Sequence, residues 1–247
     1  MSFESFKTAF AKGFLLQNSL ESLSNLEQGL KEKRLVLEQI ENNFFFFHQN
    51  LKLVDFFVND IKDFKLRGKI IKILAKNENG FTKFKPFLKL NNFEKIQSFK
   101  QMKLLNLSLD YEKSELLEFA RAEDLSEISN FFAPFFDPKF LFHFSKQDLR
   151  LKALRNEILL YKEKQIKAGL IFSKNLNSAM LDFIAVRENL AHKNIAFLLM
   201  NAFCGLNKEM KFYQLFVRND NERAIKFYQR FGFEFQNTKL EFYEGKE

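Results

Sequence analysis

The stretch that decides the fold reads Val217-Arg-Asn-Asp-Asn-Glu-Arg-Ala-Ile-Lys-Phe-Tyr-Gln-Arg-Phe-Gly-Phe233, near the end of a chain of 247 residues. It joins two apolar runs, Phe212–Val217 and Phe233–Phe242, which predict a strand before it and one or two strands after it. The polar centre predicts a helix over Glu222–Arg230, and Asn221 can cap that helix by accepting a backbone N–H. The stretch therefore predicts a strand–helix–strand unit.

Elements of both kinds continue upstream from this unit. The other predicted elements are a strand at Leu116–Ala120, helices beginning at Ala122 and Ser145, a hairpin of Glu157–Tyr161 and Ile166–Ser173, a strand at Met180–Val186, and a helix over Asn194–Leu206. Such an order is typical of an α/β domain with a mixed sheet.

Seven residues of the opening stretch stand at a recognisable spacing: Val217, Asn221, Ala224, Phe227, Tyr228, Gly232 and Phe233. This pattern resembles the closing motif of the GNAT acetyltransferase superfamily, and the order of elements extends the resemblance over about Leu116–Glu247. The resemblance implies an α/β (α+β) fold with a GNAT-like mixed, mostly antiparallel sheet flanked by helices. It also implies an acetyl-CoA-dependent N-acetyltransferase that moves an acetyl group to a primary amine by direct attack.

Tyr228 is the catalytic residue that the resemblance implies. Acyl transfer from a thioester expels a thiolate. A phenol with an ordinary pKa of about 10 can protonate this thiolate, whose thiol has a pKa of about 8.5, in a modestly uphill step. Packing on an amphipathic helix is the structural alternative for Tyr228. Helix capping and termination are the structural alternatives for Asn221 and Gly232.

The resemblance places the acetyl-CoA site after the Met180–Val186 strand. GNAT proteins carry Gln/Arg-x-x-Gly-x-Gly/Ala there, and backbone N–H groups of that loop bind the pyrophosphate at a helix N-terminus. The corresponding stretch is Ala191-His-Lys-Asn-Ile-Ala196, with Asn194 in place of a glycine and Ala191 in place of Gln or Arg. Asparagine tolerates left-handed geometry better than most residues, so the loop can keep its shape.

The implied cofactor-binding residues lie on the strand, in the loop and at the downstream cap. They are Ile184, Ala185, Val186, Ala191, His192, Lys193, Asn194, Ile195, Ala196 and Asn221. Backbone groups of Ile184 and Val186 would pair with the pantetheine arm as an added strand does. Acetyl-CoA is the expected co-substrate, and no metal is implied.

The residue that deprotonates the amine is not identified by the sequence. Asp182, Glu157 and His143 are candidates, and each also has a structural interpretation; water is a further route for the proton. Cys204 lies inside a predicted helix without a positioned histidine, so a covalent acyl-enzyme is not indicated.

Residues 1–110 repeat the C-terminal pattern in weaker form. Two pairs of stretches match: Lys72–Asn79 with Gln214–Asn221, and Phe84–Glu94 with Lys226–Glu234. A strand at Asn42–Phe47 and a helix at Leu51–Phe64 would complete this unit, but no glycine-bearing loop follows Phe47. We therefore expect a shortened, degenerate GNAT-like accessory domain over 1–110 and an acetyltransferase domain over 111–247, a tandem arrangement.

Composition excludes several classes of protein. Hydrophobic residues make up 46% and charged residues 28%, so the chain can bury a core and is not disordered. A single cysteine excludes an internal disulfide framework and a multi-cysteine zinc site. No apolar stretch approaches the roughly 18 residues of a membrane span, so we expect a cytoplasmic protein without a membrane partner. Among the 35 phenylalanines, Phe44–Phe47 predict a buried strand and Phe3, Phe6, Phe10 and Phe14 one face of a helix.

Two alternatives stay open at this point. The altered Ala191–Asn194 segment favours a non-catalytic GNAT-fold protein that binds CoA or a partner. The net charge of +8 favours an RNA- or ribosome-associated protein, although the lysines form no long run and a nucleic-acid partner is not expected. The expected partner is a small-molecule or peptide amine, and the sequence specifies neither that amine nor an oligomeric state.

Overall fold

The fold is that of a computed structural model, which describes residues 2–106, 114–142, 144–188 and 194–246. The chain forms two compact units, one comprising Met1–Lys100 with Asn237–Glu247 and the other Gln101–Gln236. The predicted domain boundary at residues 110 and 111 falls outside the described residues and stays a prediction. None of the helices in the described ranges combines the length and the hydropathy that crossing a membrane requires.

Over the described residues up to 106, the chain combines four short helices with six strands. These elements are α1 (Phe3–Lys12), β1 (Leu16–Gln17), α2 (Leu23–Lys31), β2 (Leu35–Ile40), β3 (Asn43–His48), β4 (Val54–Val58), β5 (Ile70–Ala75), α3 (Glu78–Thr82), α4 (Lys85–Leu90) and β6 (Phe93–Leu105).

From residue 114 the predicted order is confirmed, with bounds shifted by a few residues. The elements are β7 (Glu118–Phe119), a 3-10 turn at Ala122–Asp124, α5 (Leu125–Phe132), α6 (Lys146–Leu154), β8 (Ile158–Lys162), β9 (Ile166–Lys174), β10 (Ser178–Val186), α7 (Ile195–Leu206), β11 (Phe212–Arg218), α8 (Glu222–Arg230) and β12 (Glu234–Gly245).

The sheet of the C-terminal unit runs in the order β11-β10-β9-β8-β7. Every neighbouring pair in it is antiparallel except β10 and β11, which are parallel and are joined through α7. A parallel pair needs such a crossover, because its two strands must start at the same edge. The predicted mixed, mostly antiparallel sheet is thus confirmed.

Helices cover both faces of this sheet. Consecutive residues of β9 belong to different hydrophobic clusters: Leu170 packs with α7 and α8, whereas Ile171 packs with α5 and α6. Since successive strand residues point to opposite faces, the two helix pairs lie on opposite sides of the sheet. The side chains of β10 are divided in the same way: some pack with α7 and α8, and others pack with α5 and α6.

A cluster of phenylalanines forms one core of the N-terminal unit, beside a four-stranded sheet of order β1-β4-β3-β2. The predicted burial of Phe44–Phe47 on a strand is confirmed for Phe44, Phe45 and Phe46, while Phe47 is partly buried. Phe6 of α1 is fully buried, and its ring lies 4.8 Å from that of Phe46 and 4.9 Å from that of Phe57.

The helix predicted over Leu51–Phe64 was wrong. β4 occupies the centre of that stretch, and all five of its residues are buried because Val54, Phe56 and Val58 pack into one hydrophobic cluster and Phe57 packs into another. A short apolar run buried on both faces has no period of two, so the sequence alone did not separate strand from helix.

The internal similarity has a local structural counterpart. Asn77 Oδ1 accepts a hydrogen bond from the Gly80 N–H at 3.0 Å, as Asn221 Oδ1 does from the Ala224 N–H at 3.0 Å. Each asparagine follows a strand and caps the next helix. The corresponding residue is therefore Asn77, two residues before Asn79, which the sequence comparison paired with Asn221.

Truncating Phe6 to alanine should destabilise the N-terminal unit by about 3–5 kcal/mol, because the cavity is enclosed by rings that cannot collapse into it. Urea unfolding followed by circular dichroism measures this loss. Leu15→Ala, at a side chain that is 59% exposed, is the control and should change stability by no more than about 0.5 kcal/mol. A Phe6→Ala effect no larger than that of the control would contradict this assignment of the core.

Candidate functional site

The candidate site is a gap that opens between β10 and β11. Their parallel pairing runs from Ser178 opposite Phe212 to Leu181 opposite Leu215 and extends no further. Between Leu181 and Phe183 the register of β10 against β9 also shifts, which marks a β-bulge. Bulges bend a strand and re-aim its side chains, so this one accounts for the separation of the two strands.

Beyond the bulge, β9 is the one strand of the described ranges that pairs with β10. Phe183 to Val186 pair with β9, and the following Arg187 N–H donates to the Lys167 carbonyl oxygen at 3.0 Å. Peptide groups of a strand point alternately to its two edges. Ala185 therefore shares the β9-facing edge with Arg187, whereas the peptide groups of Ile184 and Val186 face the gap.

The side chains of β10 agree with this geometry. Ile184 and Val186 are partly buried and pack with the cluster that contains Tyr228. The Ala185 side chain is buried in the cluster of α5 and α6 on the opposite face. Of the three strand residues predicted to bind the cofactor, Ile184 and Val186 present backbone groups to the gap, and Ala185 presents them to β9.

The segment between β11 and α8 is held by two local interactions. Arg218 donates from Nε and Nη2 to the Asp220 carboxylate at 2.7 and 2.8 Å, and this hydrogen bonding lowers the pKa of Asp220 below its ordinary value. Asn221 caps α8 as described above. Gly232 follows the helix with φ of +100°, a conformation that only glycine adopts readily.

Tyr228 lies on the buried face of α8. Its side chain is 7% exposed, shares a hydrophobic cluster with Leu181 and Val217, and its ring lies 5.9 Å from that of Phe233. Burial raises the pKa of the phenol above its ordinary value, so Tyr228 stays protonated through the neutral range. No described residue forms a hydrogen bond with its hydroxyl, which leaves the proton available to a ligand.

The N-terminus of α7 is the other end of the predicted cofactor site. Asn194 adopts the left-handed conformation (φ +54°, ψ +20°) and its side chain caps no backbone group. Ile195 is buried, and no acidic residue stands in the first turn. First-turn N–H groups without an acidic neighbour favour an anion. Ala191, His192 and Lys193 of the predicted loop lie outside the described residues.

A buried lysine joins two of the general-base candidates. Lys152 Nζ lies 2.9 Å from Asp182 Oδ2 and 3.5 Å from Glu157 Oε2, and it also donates to the Phe172 carbonyl oxygen at 2.6 Å. Sequence reasoning missed Lys152. The clue was its place between Leu149 and Ala153 on the buried face of α6, where a lysine requires a partner. His143 lies outside the described residues.

A metal centre has no support in the described ranges, where no group of three or more His, Cys, Asp or Glu side chains could hold an ion.

Comparisons with known proteins give a family match for part of the C-terminal unit and similar folds for most of the chain. Residues 117–233 match the model of the acetyltransferase (GNAT) family. A putative GNAT-family acetyltransferase from Novosphingobium aromaticivorans aligns at 10% identity over 91% of this chain and 96% of its own, with a TM-score of 0.56. A GNAT-family acetyltransferase from Colwellia psychrerythraea aligns at 14% identity over 94% and 100%, with a TM-score of 0.52.

A tandem GNAT protein from the clavulanic acid biosynthesis pathway is similar along almost the whole chain. It aligns at 9% identity over 98% of this chain and 92% of its own, with a TM-score of 0.54. At such identities the likeness shows the fold alone. No curated protein matches the chain significantly.

Replacing Asn221 with alanine should destabilise the C-terminal unit by about 1 kcal/mol, because the Ala224 N–H loses its acceptor. Thermal unfolding measures the effect. Asn221→Ser is the matched control, since a serine hydroxyl caps equally well and should preserve most of the stability. Equal losses in the two variants would mean that capping is not what Asn221 contributes.

Proposed function

We propose that this protein transfers the acetyl group of acetyl-CoA to a primary amine, because residues 117–233 match the acetyltransferase (GNAT) family. The tandem arrangement supports a division of labour in which the C-terminal unit carries the chemistry. The family match concerns descent and fold. Support for the activity comes from the residues of the gap.

The gap fits the two chemically distinct parts of acetyl-CoA. No described strand pairs with the peptide groups of Ile184 and Val186 on the β11 side, so these groups suit an extended arm that carries amides. The N-terminus of α7, with left-handed Asn194 at its start, suits a pyrophosphate. Ile195, Ala196 and the loop residues Ala191, His192 and Lys193 complete the proposed cofactor-binding set, with Asn221 fixing the start of α8.

Tyr228 carries the proposed mechanism. When bound, acetyl-CoA supplies a thioester carbonyl that a neutral amine attacks, with cleavage of the carbon–sulfur bond and release of a thiolate. Tyr228 Oη gives its proton to that sulfur, and the attacking nitrogen loses one proton to Asp182 or to water, so charge and protons balance. Burial raises the pKa of the Tyr228 phenol. The same apolar surroundings raise the pKa of the leaving thiol as well, so the difference between the two pKa values changes less than either value.

The backbone at the gap contributes to the same step. N–H groups of Ile184 or Val186 that face the gap can donate to the carbonyl oxygen as negative charge develops on it. These donors are held by the pairing of β10 with β9, so they need no rearrangement during the reaction. The proposal is carried by the buried Tyr228 hydroxyl, which forms no hydrogen bond with a described residue, beside a strand edge that no described strand pairs with.

Tyr228→Phe tests the proposal, because it removes one oxygen from a buried ring and leaves the packing intact. We expect kcat for acetyl transfer to fall about 10²- to 10³-fold, the usual contribution of a general acid, with little change in KM for acetyl-CoA. Thiol release in the presence of an amine gives both constants.

The control is Phe227→Leu, which alters the neighbouring ring of α8 without touching a hydroxyl and should keep most of kcat. Full activity in Tyr228→Phe would remove the acid role. Tight acetyl-CoA binding without turnover of any amine would favour the alternative of a non-catalytic CoA-binding protein.

A further inference from the structure

The face of β10 opposite Tyr228 carries an unusual pair of neighbouring side chains. Asp182 accepts a hydrogen bond from Ser173 Oγ at 2.6 Å, and Phe183 packs with the cluster of α5 and α6. Consecutive residues of a regular strand point to opposite faces, but the bulge between Leu181 and Phe183 turns both side chains to this one. They stand where β10 separates from β11.

Three half-buried phenylalanine rings, Phe136, Phe144 and Phe183, form a patch that we term the aromatic wall. The Phe183 ring centroid lies 4.7 Å from that of Phe136 and 5.6 Å from that of Phe144. Behind them, the buried Phe142 lies 5.3 Å from Phe183. Partial exposure at these positions leaves an apolar surface next to Asp182.

The polar groups beside the wall carry an excess of negative charge. Lys152 lies between Asp182 and Glu157, so the three charges sum to −1. The side chains are 10%, 16% and 9% exposed, which limits screening by solvent and strengthens the pull on a cation. Lys152 Nζ also lies 5.1 Å from the Phe144 ring centroid, so the charged group and the wall are contiguous.

Lys162, one of the basic side chains on the neighbouring hairpin, is not available to bind an anion. Lys162 lies 2.7 Å from Asp124 Oδ1 and 3.0 Å from Glu118 Oε1, so two carboxylates neutralise it. The phenyl rings and Lys162 thus differ in what they offer a ligand. The rings remain partly exposed, whereas the lysine is committed to the fold.

We propose that the acceptor is a primary amine with an aromatic or branched apolar group close to its nitrogen. The apolar group packs on the aromatic wall, and the excess negative charge of the Lys152, Asp182 and Glu157 group attracts the ammonium before it loses its proton. Phe183 is then a specificity-determining residue. This inference rests on the proposed acetyl transfer, and it selects among amines rather than among reactions.

The test compares three acceptors with the full-length protein: 2-phenylethylamine, ethylamine and the anionic 2-aminoethylphosphonate. We expect kcat/KM for 2-phenylethylamine to exceed that for ethylamine on the order of 30-fold, the effect of burying one phenyl group, and the anionic amine to be the poorest. In Phe183→Ala the preference for 2-phenylethylamine over ethylamine should fall about tenfold.

Two variants guard against a folding artefact. Phe183→Leu keeps an apolar side chain and should retain most of the preference, and Leu176→Ala, at a side chain that is 99% exposed, should retain all of it.

Glu157→Gln tests the role of the charge. It removes the excess negative charge and should raise KM for 2-phenylethylamine while acetyl-CoA binding stays constant.

The outcomes separate this inference from the proposed function. Turnover of ethylamine or the anionic amine as good as that of 2-phenylethylamine would overturn the inference and leave acetyl transfer standing. Calorimetric binding of acetyl-CoA without turnover of any of the three amines would also overturn the inference. Absence of acetyl-CoA binding would overturn the proposed function and the inference with it.

Discussion

Every group assigned a role in the C-terminal unit depends on how far β10 and β11 stay paired. Four residue pairs hold the strands together up to Leu181 and Leu215, and the bulge after Leu181 then turns β10 away. One consequence is a free backbone edge at Ile184 and Val186. Another is that Asp182 and Phe183 share one face of the sheet, while Ile184, Val186 and Tyr228 belong to the cluster on the other. A single irregularity in one strand thus gives the gap two chemically different sides.

The two sides suit the two halves of an acyl transfer. On the side of α7 and α8, apolar packing keeps Tyr228 protonated, and no described residue forms a hydrogen bond with its hydroxyl. On the side of α5 and α6, a carboxylate-rich group lies next to phenyl rings. A leaving thiolate requires a proton donor, and an incoming ammonium requires negative charge, so the two requirements are met on opposite faces without interfering with each other.

The sequence predicted most of the C-terminal fold because its signals are local. Asn221 and Gly232 bound one helix by capping and by a left-handed turn, and both effects act within a few residues. The bulge at Leu181–Phe183 has no local sequence signal, since it depends on the pairing of β10 with β9. The ion pairs of Lys152 could not be predicted from the sequence either, because the partner residues lie on other elements. In the N-terminal unit, burial of β4 on both faces hid its strand character, whereas Phe44–Phe46 were recognised.

Isothermal titration with acetyl-CoA tests the central claim most directly, namely that the free edge of β10 and the start of α7 hold this co-substrate. We predict micromolar binding to the unmodified protein, within the usual range for enzyme substrates, and at least tenfold weaker binding to Val186→Pro. That substitution removes an N–H that faces the gap but none that bonds to β9, so the fold should persist. Equal affinity of the two proteins, or no binding at millimolar acetyl-CoA, would contradict the account.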